Sequence, residues 1–516
     1  MFHQVPLGSS VPPETPHAVS VSLPTWDANI GYEEGQDWVV KAMATGYPRF
    51  FIHKSIQALA NEIIARYGQA ADAAMLFPSE KAAEICREFM ASRVPVHDAG
   101  RIRIIGLTTP DDEAEQKTIV SNVFCVIYPH EYFSTAKQVW QHSGDGISSR
   151  RSEFLFKALQ ENHLSLIQKY VPHSDMSRVS KGPRRYQRDE SSFASSFKPH
   201  QTSQPAGKSA NSSPDGPEFD RFIEERFGRN LDTTLANKAK LAVKRRIAGS
   251  LRETSDLHVA LTAPPSETRI AGLTENDVYL YPSGMSSIFN THQILLKARG
   301  QLESICFGFP YVDTLKILQK WGPGAVFYGT ASAEEIDQLE SRLERGERFL
   351  ALFTEFPGNP LLISPDLERI RQLADKYDFA VVVDESIGNF INVNVLPFAD
   401  VVVSSLTKIF SGDSNVMGGS AVLNPNGRYY KALKEVLHRE YEDNYWVEDA
   451  LVLERNSRDF VSRIHRINAH TEAATKFLKS SPLDLVRIAV GLEEEKDLLI
   501  RLERALEAAQ NVARPN

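Results

Sequence analysis

Short runs of β-branched and aromatic residues alternate with amphipathic helical segments between residues 277 and 404, and this alternation constrains the fold most strongly. The clearest helix begins at a Ser332-x-x-Glu335 capping box and stops at Gly346, and another begins at Ser364-Pro365. The predicted strands are 277–280, 302–309, 325–328, 349–354, 379–384 and 401–404. Strands that are apolar on both faces and joined by crossover helices form a mainly parallel sheet. The sequence therefore predicts an α/β fold.

The chain has 516 residues, which exceeds what one hydrophobic core usually serves, so several domains are expected. Residues 172–217 are rich in Ser, Pro, Lys, Arg and Gln. We predict a disordered linker there, because such a segment buries too little apolar area to offset its ordering entropy. Residues 1–171 contain helical periodicity from Ile56 and strand-like runs at 103–107 and 123–127, which predict an N-terminal α/β accessory domain.

The composition is that of an ordinary globular protein, with 42% hydrophobic and 24% charged residues and a formal net charge of -8. It does not suggest nucleic-acid binding. The sequence has no apolar stretch of the roughly 20 residues that cross a bilayer and no secretory signal pattern at its start, so we expect a soluble, cytoplasmic protein. Cys86, Cys125 and Cys306 are far apart, without a Cys-x-x-Cys pair for zinc or a redox disulfide, and each is predicted to be a core residue.

Polar residues follow several of the predicted strands, and open α/β sheets bind ligands at the carboxyl ends of their strands. The strand that ends at Tyr281 gives way to Pro282-Ser-Gly-Met285 and a helix, whose N–H groups and positive dipole end suit a phosphate. A structural turn would have the same sequence. Another strand ends in Asp384, whose burial requires a cationic partner such as a protonated pyridine nitrogen. An N-cap or a buried ion pair is the structural alternative.

Lys408 follows a predicted strand in the run Ser404-Ser405-Leu406-Thr407-Lys408. Ser405 and Thr407 carry hydroxyls that can donate to a phosphate, and a lysine desolvated near them can become a nucleophilic amine. A lysine after a strand is most often a surface charge. In combination with Asp384 and the glycine turn, however, the pattern predicts that Lys408 binds pyridoxal phosphate (PLP) as a Schiff base.

The combination of these motifs resembles the γ-family of fold-type-I PLP enzymes, those of cysteine and methionine metabolism such as cystathionine γ-synthase. The resemblance covers about residues 222–480. The family's Ser-x-Thr-Lys and Gly-x-Ser-x-x-x-Gly-Gly motifs match residues 405–408 and 412–419. The resemblance implies the aspartate aminotransferase-like fold type I, with a PLP-binding large domain over 218–440 and a C-terminal small domain over 441–516.

The resemblance also implies a role for single residues. The implied cofactor-binding residues are Ser283, Gly284, Met285, Tyr311, Asn359, Asp384, Ser405, Thr407, Lys408 and Arg229. Among them the Ser283 turn cups the phosphate, Asp384 holds the ring nitrogen and Asn359 lies beside the phenolic oxygen. Lys408 and Tyr311, which stacks on the ring, are the implied catalytic residues. Arg487 is the implied clamp for the substrate carboxylate, since a planar guanidinium suits that task.

Three further expectations concern assembly and the two ends of the chain. Arg229 resembles the family arginine that reaches the phosphate of a neighbouring subunit, which implies a homodimer or homotetramer. The N-terminal region resembles the extra domain of fungal cystathionine γ-synthases. Residues 471–480 run almost directly into Asp484, so most of the C-terminal small domain is expected to be missing.

Gly144-Asp-Gly146 could be a phosphate loop, but a lone Gly-x-Gly favours a turn between helices.

The activity implied by the resemblance is γ-replacement on an O-acylated L-homoserine. Lys408 removes the Cα proton, and cysteine as the nucleophile gives cystathionine. A carbon or amine nucleophile would give a specialised metabolite by the same chemistry, and the sequence does not identify the nucleophile. The shortened C-terminal domain motivates a third alternative, a PLP-binding protein without turnover.

Overall fold

The computed structural model describes residues 5–47, 51–109, 121–170, 235–251, 257–262, 267–478 and 494–512. The chain forms two compact units, Met1–Ser165 with Thr233–Asn516, and Leu166–Asp232. In the second unit the described residues end in a 3-10 turn over Gln168–Tyr170. The predicted linker 172–217 lies outside the described residues. In the part of the chain that is described, none of the helices combines the length and the apolar character needed to cross a membrane.

The N-terminal region is built around an antiparallel sheet in which β3, β5 and β4 lie side by side in that order. Its described elements are β1 (Ser10–Val11), β2 (Ser20–Val21), α1 (Trp26–Glu33), α2 (Asp37–Ala42), α3 (Lys54–Tyr67), β3 (Asp72–Phe77), α4 (Glu80–Ala91), α5 (Val96–Ala99), β4 (Arg103–Thr108), β5 (Asn122–Pro129), α6 (Phe133–Ser143), α7 (Ser149–Gln160) and β6 (Ser165–Leu166). The two strands and the helix predicted for this region are confirmed as β4, β5 and α3. The structure adds β3, whose alanines gave no strand pattern.

The large sheet has seven strands in the order β7-β13-β12-β11-β10-β8-β9. Its strands are β7 (Val278–Tyr281), β8 (Ser304–Phe307), β9 (Ala325–Tyr328), β10 (Ala351–Glu355), β11 (Ala380–Asp384), β12 (Val401–Ser405) and β13 (Gly419–Leu423). The pairs between β12, β11, β10, β8 and β9 are parallel, and β13 pairs antiparallel with both β12 and β7. The predicted α/β fold with a mainly parallel sheet is confirmed. The sequence does not predict β13, because the strand begins with a glycine, a residue that is depleted in strands.

Ten further α-helices are described after residue 235, and several of them pack against this sheet. They are α8 (Ala236–Ala248), α9 (Leu257–Thr262), α10 (Gly284–Arg299), α11 (Val312–Lys320), α12 (Ala333–Glu344), α13 (Leu367–Tyr377), α14 (Tyr430–Glu440), α15 (Val447–Asn456), α16 (Phe460–Leu478) and α17 (Glu495–Val512). Val382 and Val403 from the strands share one core with Leu295 of α10 and Ile317 of α11. Burial of such side chains is the main source of stability in a sheet of this kind.

Two predicted helix starts can be compared with the structure. Ser332 caps α12 as predicted, since its side chain accepts from the Glu335 N–H at 3.3 Å. The start proposed at Ser364-Pro365 is wrong by two residues, because Asp366 is the N-cap of α13 and accepts from the Arg369 N–H at 3.0 Å. An aspartate satisfies the first-turn donors that a proline alone leaves without a partner.

The three cysteines are buried, and Cys306 lies in β8 as expected. Burial raises the pKa of the Cys306 thiol to about 12, with a smaller contribution from the Glu355 charge. Because the thiolate is the reactive form, this cysteine is inert near neutral pH. The cysteines therefore belong to the core.

A buried ion pair joins α8 to α15. Arg246 NH2 lies 2.9 Å from Glu454 Oε1, and the two side chains are 1% and 2% exposed. The same guanidinium donates to the Glu454 carbonyl and to the Ser457 hydroxyl. Removal of one partner of such a pair leaves a buried charge without its compensation, which costs several kcal/mol.

We therefore expect Arg246→Met to lower the free energy of unfolding by about 3 kcal/mol, the lower end of the usual range, because Arg458 still pairs with Glu454. Urea denaturation followed by fluorescence measures this difference. Arg439→Met is the matched control, since Arg439 forms an exposed pair with Glu435 and should change the free energy by less than about 1 kcal/mol. Equal effects in the two variants would contradict the assignment.

Candidate active site

Three strand ends meet at one place in the large sheet. In the register of β12, β13 and β7, Ser405 is opposite Gly419, and Gly419 is opposite Tyr281. The turn after Tyr281 therefore crosses directly over the end of β12. A Cβ atom on Gly284 would lie 2.8 Å from the Ser405 Cβ, and one on Gly419 would lie 2.0 Å from the Ser283 carbonyl oxygen. Both positions require glycine, because any side chain would push the turn away from β12.

The start of α10 offers hydrogen-bond donors to a phosphate beside Ser405. Ser283 is the N-cap, and its Oγ accepts from the Ser286 N–H at 3.1 Å. The first N–H groups of a helix have no intrahelical acceptor, and they carry the positive end of the helix dipole. Next to them the Ser405 Oγ is buried without a hydrogen-bond partner among the described residues. A phosphate would satisfy both groups, so these residues fit the phosphate of PLP.

Thr407 was predicted to contact the same phosphate. Its Oγ1 lies 3.2 Å from the Gly418 nitrogen and 3.4 Å from the Gly418 carbonyl oxygen. This hydroxyl therefore links the segment before β13 to the segment that carries Lys408. A phosphate contact by Thr407 stays a prediction.

Asp384 and Glu355 end neighbouring parallel strands and are opposite each other in the register of β10 and β11. Burial raises the pKa of Asp384. Two interactions lower it: the Ser386 N–H donates to the Asp384 Oδ1 at 2.9 Å, and the positive charge of Lys408 favours the ionised carboxylate. Burial, followed by the Asp384 charge, raises the pKa of Glu355 to about 7. Two adjacent buried carboxyls strongly favour a cation beside them, and a protonated pyridine nitrogen fits that requirement.

Glu355 also holds two of the predicted cofactor residues. Its Oε1 accepts from the Tyr311 N–H at 2.5 Å, and its Oε2 accepts from the Asn359 N–H at 3.4 Å. One carboxylate therefore fixes the backbone positions of Tyr311 and Asn359 relative to Asp384. Glu355 is not among the residues predicted from the sequence, although its place at a strand end is the same signal that identifies Asp384.

The N-terminal region reaches the same place through the turn between α6 and α7, which confirms that Gly144-Asp-Gly146 is a turn between helices. Ser283 Oγ donates to the Gly144 carbonyl at 3.0 Å, and Ser286 Oγ donates to Asp145. A Cβ on Gly144 would lie 2.3 Å from the Ser283 Oγ. Burial raises the pKa of Asp145 to about 7, against the hydrogen bonds from Ser286 and Asn290. The sequence did not predict this contact.

Lys408 lies just beyond β12 and is solvent-exposed, so the desolvation expected for it is absent from this structure. Its Nζ is 4.1 Å from the centroid of the Tyr47 ring, which belongs to the N-terminal region.

Arg229 and Arg487 lie outside the described residues, and their roles stay predictions. The structure thus brings together Ser283, Gly284 and Ser405 on one side, and Asp384, Tyr311 and Asn359 around Glu355. No cluster of potential metal ligands occurs in the described parts of the chain.

Two family profiles match this chain. The profile described as "Fungal trans-sulfuration enzyme, N-terminal domain" matches residues 55–148, and the one described as "Cys/Met metabolism PLP-dependent enzyme" matches residues 260–483. The second covers the strand ends described above.

Three curated relatives span most of the chain. Cystathionine gamma-synthase of Neurospora crassa is 51% identical over 92% of this chain and 80% of its own length. Cystathionine gamma-synthase of Saccharomyces cerevisiae is 36% identical over 91% of this chain and 80% of its own. The cystathionine gamma-synthase-like enzyme iboG2 of Amanita muscaria is 43% identical over 92% of this chain and 75% of its own.

The close approach of Gly284 to Ser405 leads to a prediction about cofactor affinity. We expect Gly284→Ala to weaken PLP binding about tenfold or more, since overpacking of this kind costs about 1–3 kcal/mol and 1.4 kcal/mol is a factor of ten. Titration of the purified chain with PLP, followed by fluorescence quenching, measures the dissociation constant. Gly100→Ala is the control, because a Cβ there would meet no atom within 4 Å. Unchanged affinity in Gly284→Ala would refute the proposed phosphate site.

The raised pKa of Asp145 leads to a prediction about pH. Its pKa is about 7 in the folded chain, against an ordinary value near 4, so ionisation opposes folding. Below about pH 4 the neutral Asp145 carboxyl makes its full contribution to the free energy of unfolding. This contribution is lost as the pH rises toward 7. We expect Asp145→Asn to be more stable than the native protein at pH 8, by at least about 1.4 kcal/mol, and similar to it at pH 4.

Urea denaturation between pH 4 and pH 8 measures this difference. The same substitution at Asp27, which is exposed in the first turn of α1, controls for the change of side chain. A stability difference between Asp145→Asn and the native protein that does not vary with pH would show that folding leaves the pKa of Asp145 unshifted.

Proposed function

Because the chain belongs to the Cys/Met metabolism family of PLP-dependent enzymes, we propose that it catalyses γ-replacement on an O-acylated L-homoserine, with cysteine as the nucleophile, as cystathionine γ-synthases do. One structural observation carries this proposal. The buried Ser405 hydroxyl without a partner lies beside the start of α10, in the same sheet edge as the Asp384 and Glu355 carboxyls. Phosphate donors and a site for a cationic ring are the two features that PLP requires of a protein.

The residues that would hold PLP are those at the three strand ends. Ser283, Gly284 and Ser405 would bind its phosphate, and Asp384 would hold the proton of its ring nitrogen. When bound, PLP supplies an electron sink that stabilises negative charge at the Cα atom of an amino acid. Glu355 would keep Tyr311 and Asn359 in position around the ring through its two backbone hydrogen bonds.

Lys408 would bind PLP covalently through its Nζ, and once the substrate amine has displaced it, the freed amine would take the proton from the Cα atom of the substrate. Its exposure leaves room for a substrate to approach. Arg487, by resemblance, would orient the substrate carboxylate. The reaction also requires a second proton to leave Cβ before the acyl group departs from Cγ, and Lys408 would take it after passing the first proton on to the bound cofactor.

The nucleophile distinguishes this proposal from its first alternative. Cysteine is favoured because the relative named cystathionine gamma-synthase in Neurospora crassa is 51% identical, whereas the cystathionine gamma-synthase-like enzyme iboG2 is 43% identical. The cystathionine gamma-synthase-like protein ankD of Aspergillus thermomutatus is 32% identical. The order of identities therefore supports cysteine over a carbon or amine nucleophile.

We further propose a cytoplasmic homodimer or homotetramer. The cytoplasmic location is supported by the three buried, unpaired cysteines, since thiols stay reduced in that compartment. The oligomer is supported by the resemblance of Arg229 to an arginine that reaches a neighbouring subunit in this family. Analytical ultracentrifugation of the full chain tests the assembly.

The activity is tested by incubating the purified chain with PLP, O-acetyl- or O-succinylhomoserine, and cysteine. We expect cystathionine by mass spectrometry, and a PLP adduct on Lys408 after borohydride reduction. Lys408→Ala should lose the adduct and at least a hundredfold of the rate, because a positioned general base contributes about 10²–10⁴. Lys431→Ala, an exposed lysine on α14, is the matched control.

Each outcome separates the competing functions. Consumption of the acylated substrate without cystathionine, restored by a carbon or amine nucleophile, would favour the specialised reaction. A Lys408 adduct without any substrate loss would favour a PLP-binding protein that does not turn over. The absence of an adduct would overturn all three.

A further inference from the structure

The N-terminal region contacts the proposed active site at several points around Lys408. The Val19 N–H donates to the Ser414 carbonyl at 2.7 Å, just after the lysine segment. Arg150 NH1 lies 3.1 Å from Asp449 Oδ1 in a pair that is 13% and 6% exposed. With the Gly144 contact to Ser283, these interactions hold the N-terminal region against the sheet edge. The region is therefore built into the site and is not a distant appendage.

Tyr47 is the residue of this region that reaches the reacting amine. The Lys408 Nζ lies 4.1 Å from its ring centroid, well within the distance at which an ammonium is attracted by an aromatic face. Tyr47 lines a pocket together with Ser283, Met285 and Tyr311, three residues predicted to contact PLP. The ring thus forms a wall of the same pocket from the N-terminal side.

The backbone before Tyr47 is anchored, so the ring position does not depend on a loose segment. The Ala44 N–H donates to the Gly8 carbonyl at 2.9 Å, and the Thr45 hydroxyl donates to the Ala18 carbonyl. Thr45 is 2% exposed. A Cβ on Gly46 would lie 2.3 Å from the Met43 Cε, so the chain packs tightly at the residue before the tyrosine. Several contacts therefore fix the direction from which Tyr47 approaches Lys408.

We propose that Tyr47 is a catalytic residue of this site, whose aromatic face binds the Lys408 ammonium and holds the amine against the ring. The inference rests on the proposed function, in which the Lys408 Nζ forms the bond to PLP and carries the proton taken from Cα. An aromatic face attracts the protonated amine and not the neutral one, so Tyr47 stabilises Lys408 after it has accepted that proton. The N-terminal region thereby supplies a chemical group to the active site of its own chain.

The first test measures the amine itself and needs no PLP. The full chain, stripped of PLP, is labelled with acetic anhydride at fixed neutral pH, and the Lys408 acetylation rate is read by mass spectrometry. Loss of the aromatic face in Tyr47→Leu should release the Lys408 amine from this contact and raise the rate roughly two- to fivefold, the range expected for an exposed cation–π contact. Tyr47→Phe keeps the face and should label like the native chain.

A matched control comes from the pair Tyr377 and Lys376, whose Nζ lies 4.7 Å from the ring centroid. Tyr377→Leu should change labelling at Lys376 only. Thermal unfolding of Tyr47→Leu should stay close to that of the native chain, which separates a local effect from misfolding.

Turnover supplies the second readout. In the holoenzyme, Tyr47→Leu should lower kcat with little change in KM, and Tyr47→Phe should restore it. Equal labelling of Lys408 in the native chain and Tyr47→Leu, or a Tyr47→Phe variant that behaves like Tyr47→Leu, would overturn the proposal. A chain that shows the labelling difference but never binds PLP would refute the proposed function instead, so the two failures are distinguishable.

Discussion

The approach of the Ser283 turn to the ends of β12 and β13 is the contact on which the rest of the site depends. It is possible only because Gly284 and Gly419 have no side chains at the point where two backbones come within van der Waals distance. That approach leaves the Ser405 hydroxyl buried at the start of α10 and sets Lys408 a few residues farther along the same segment. The antiparallel insertion of β13 between β12 and β7 produces this geometry, because it places the ends of β7 and β12 on either side of Gly419.

A second group of residues forms around two carboxyls on the parallel side of the sheet. Parallel strands in register put Glu355 and Asp384 next to each other, where burial raises the pKa of both and the Asp384 charge raises that of Glu355 further. A fold tolerates such a pair when a cation lies nearby, and the proposed ring nitrogen and Lys408 are two such charges. Glu355 makes the arrangement rigid by accepting from the backbone of Tyr311 and Asn359. In the proposed function, the two groups would therefore face PLP from opposite ends, one toward its phosphate and one toward its ring.

The parts of the site that could be predicted from the sequence are those encoded within a few residues. A capped helix start after a strand, an aspartate at the end of an apolar strand and a Ser-x-Thr-Lys segment are local patterns, and the strands that carry them were predicted at nearly their observed bounds. Glu355 has the same local pattern. The chemical reason to choose it is that Asp384 lies next to it in the sheet, and the sequence alone does not show that pairing. Tyr47 and Gly144 could not be found in this way, because their contacts join segments far apart in the chain and leave no periodic trace. The start of α13 was misplaced because Pro365 gave a plausible signal and the Asp366 cap was overlooked.

The contact at Gly144 also limits how such a chain can diversify. Its carbonyl accepts from the Ser283 hydroxyl at a spacing that leaves no room for a methyl group. A substitution at Gly144 or at Ser283 therefore changes which substitutions the other position tolerates. An exchanged N-terminal region with a larger residue in place of Gly144 would clash with Ser283 even if both parts folded well separately. Gene fusions and recombinants between relatives should consequently survive only when the α6–α7 turn and the start of α10 are inherited together.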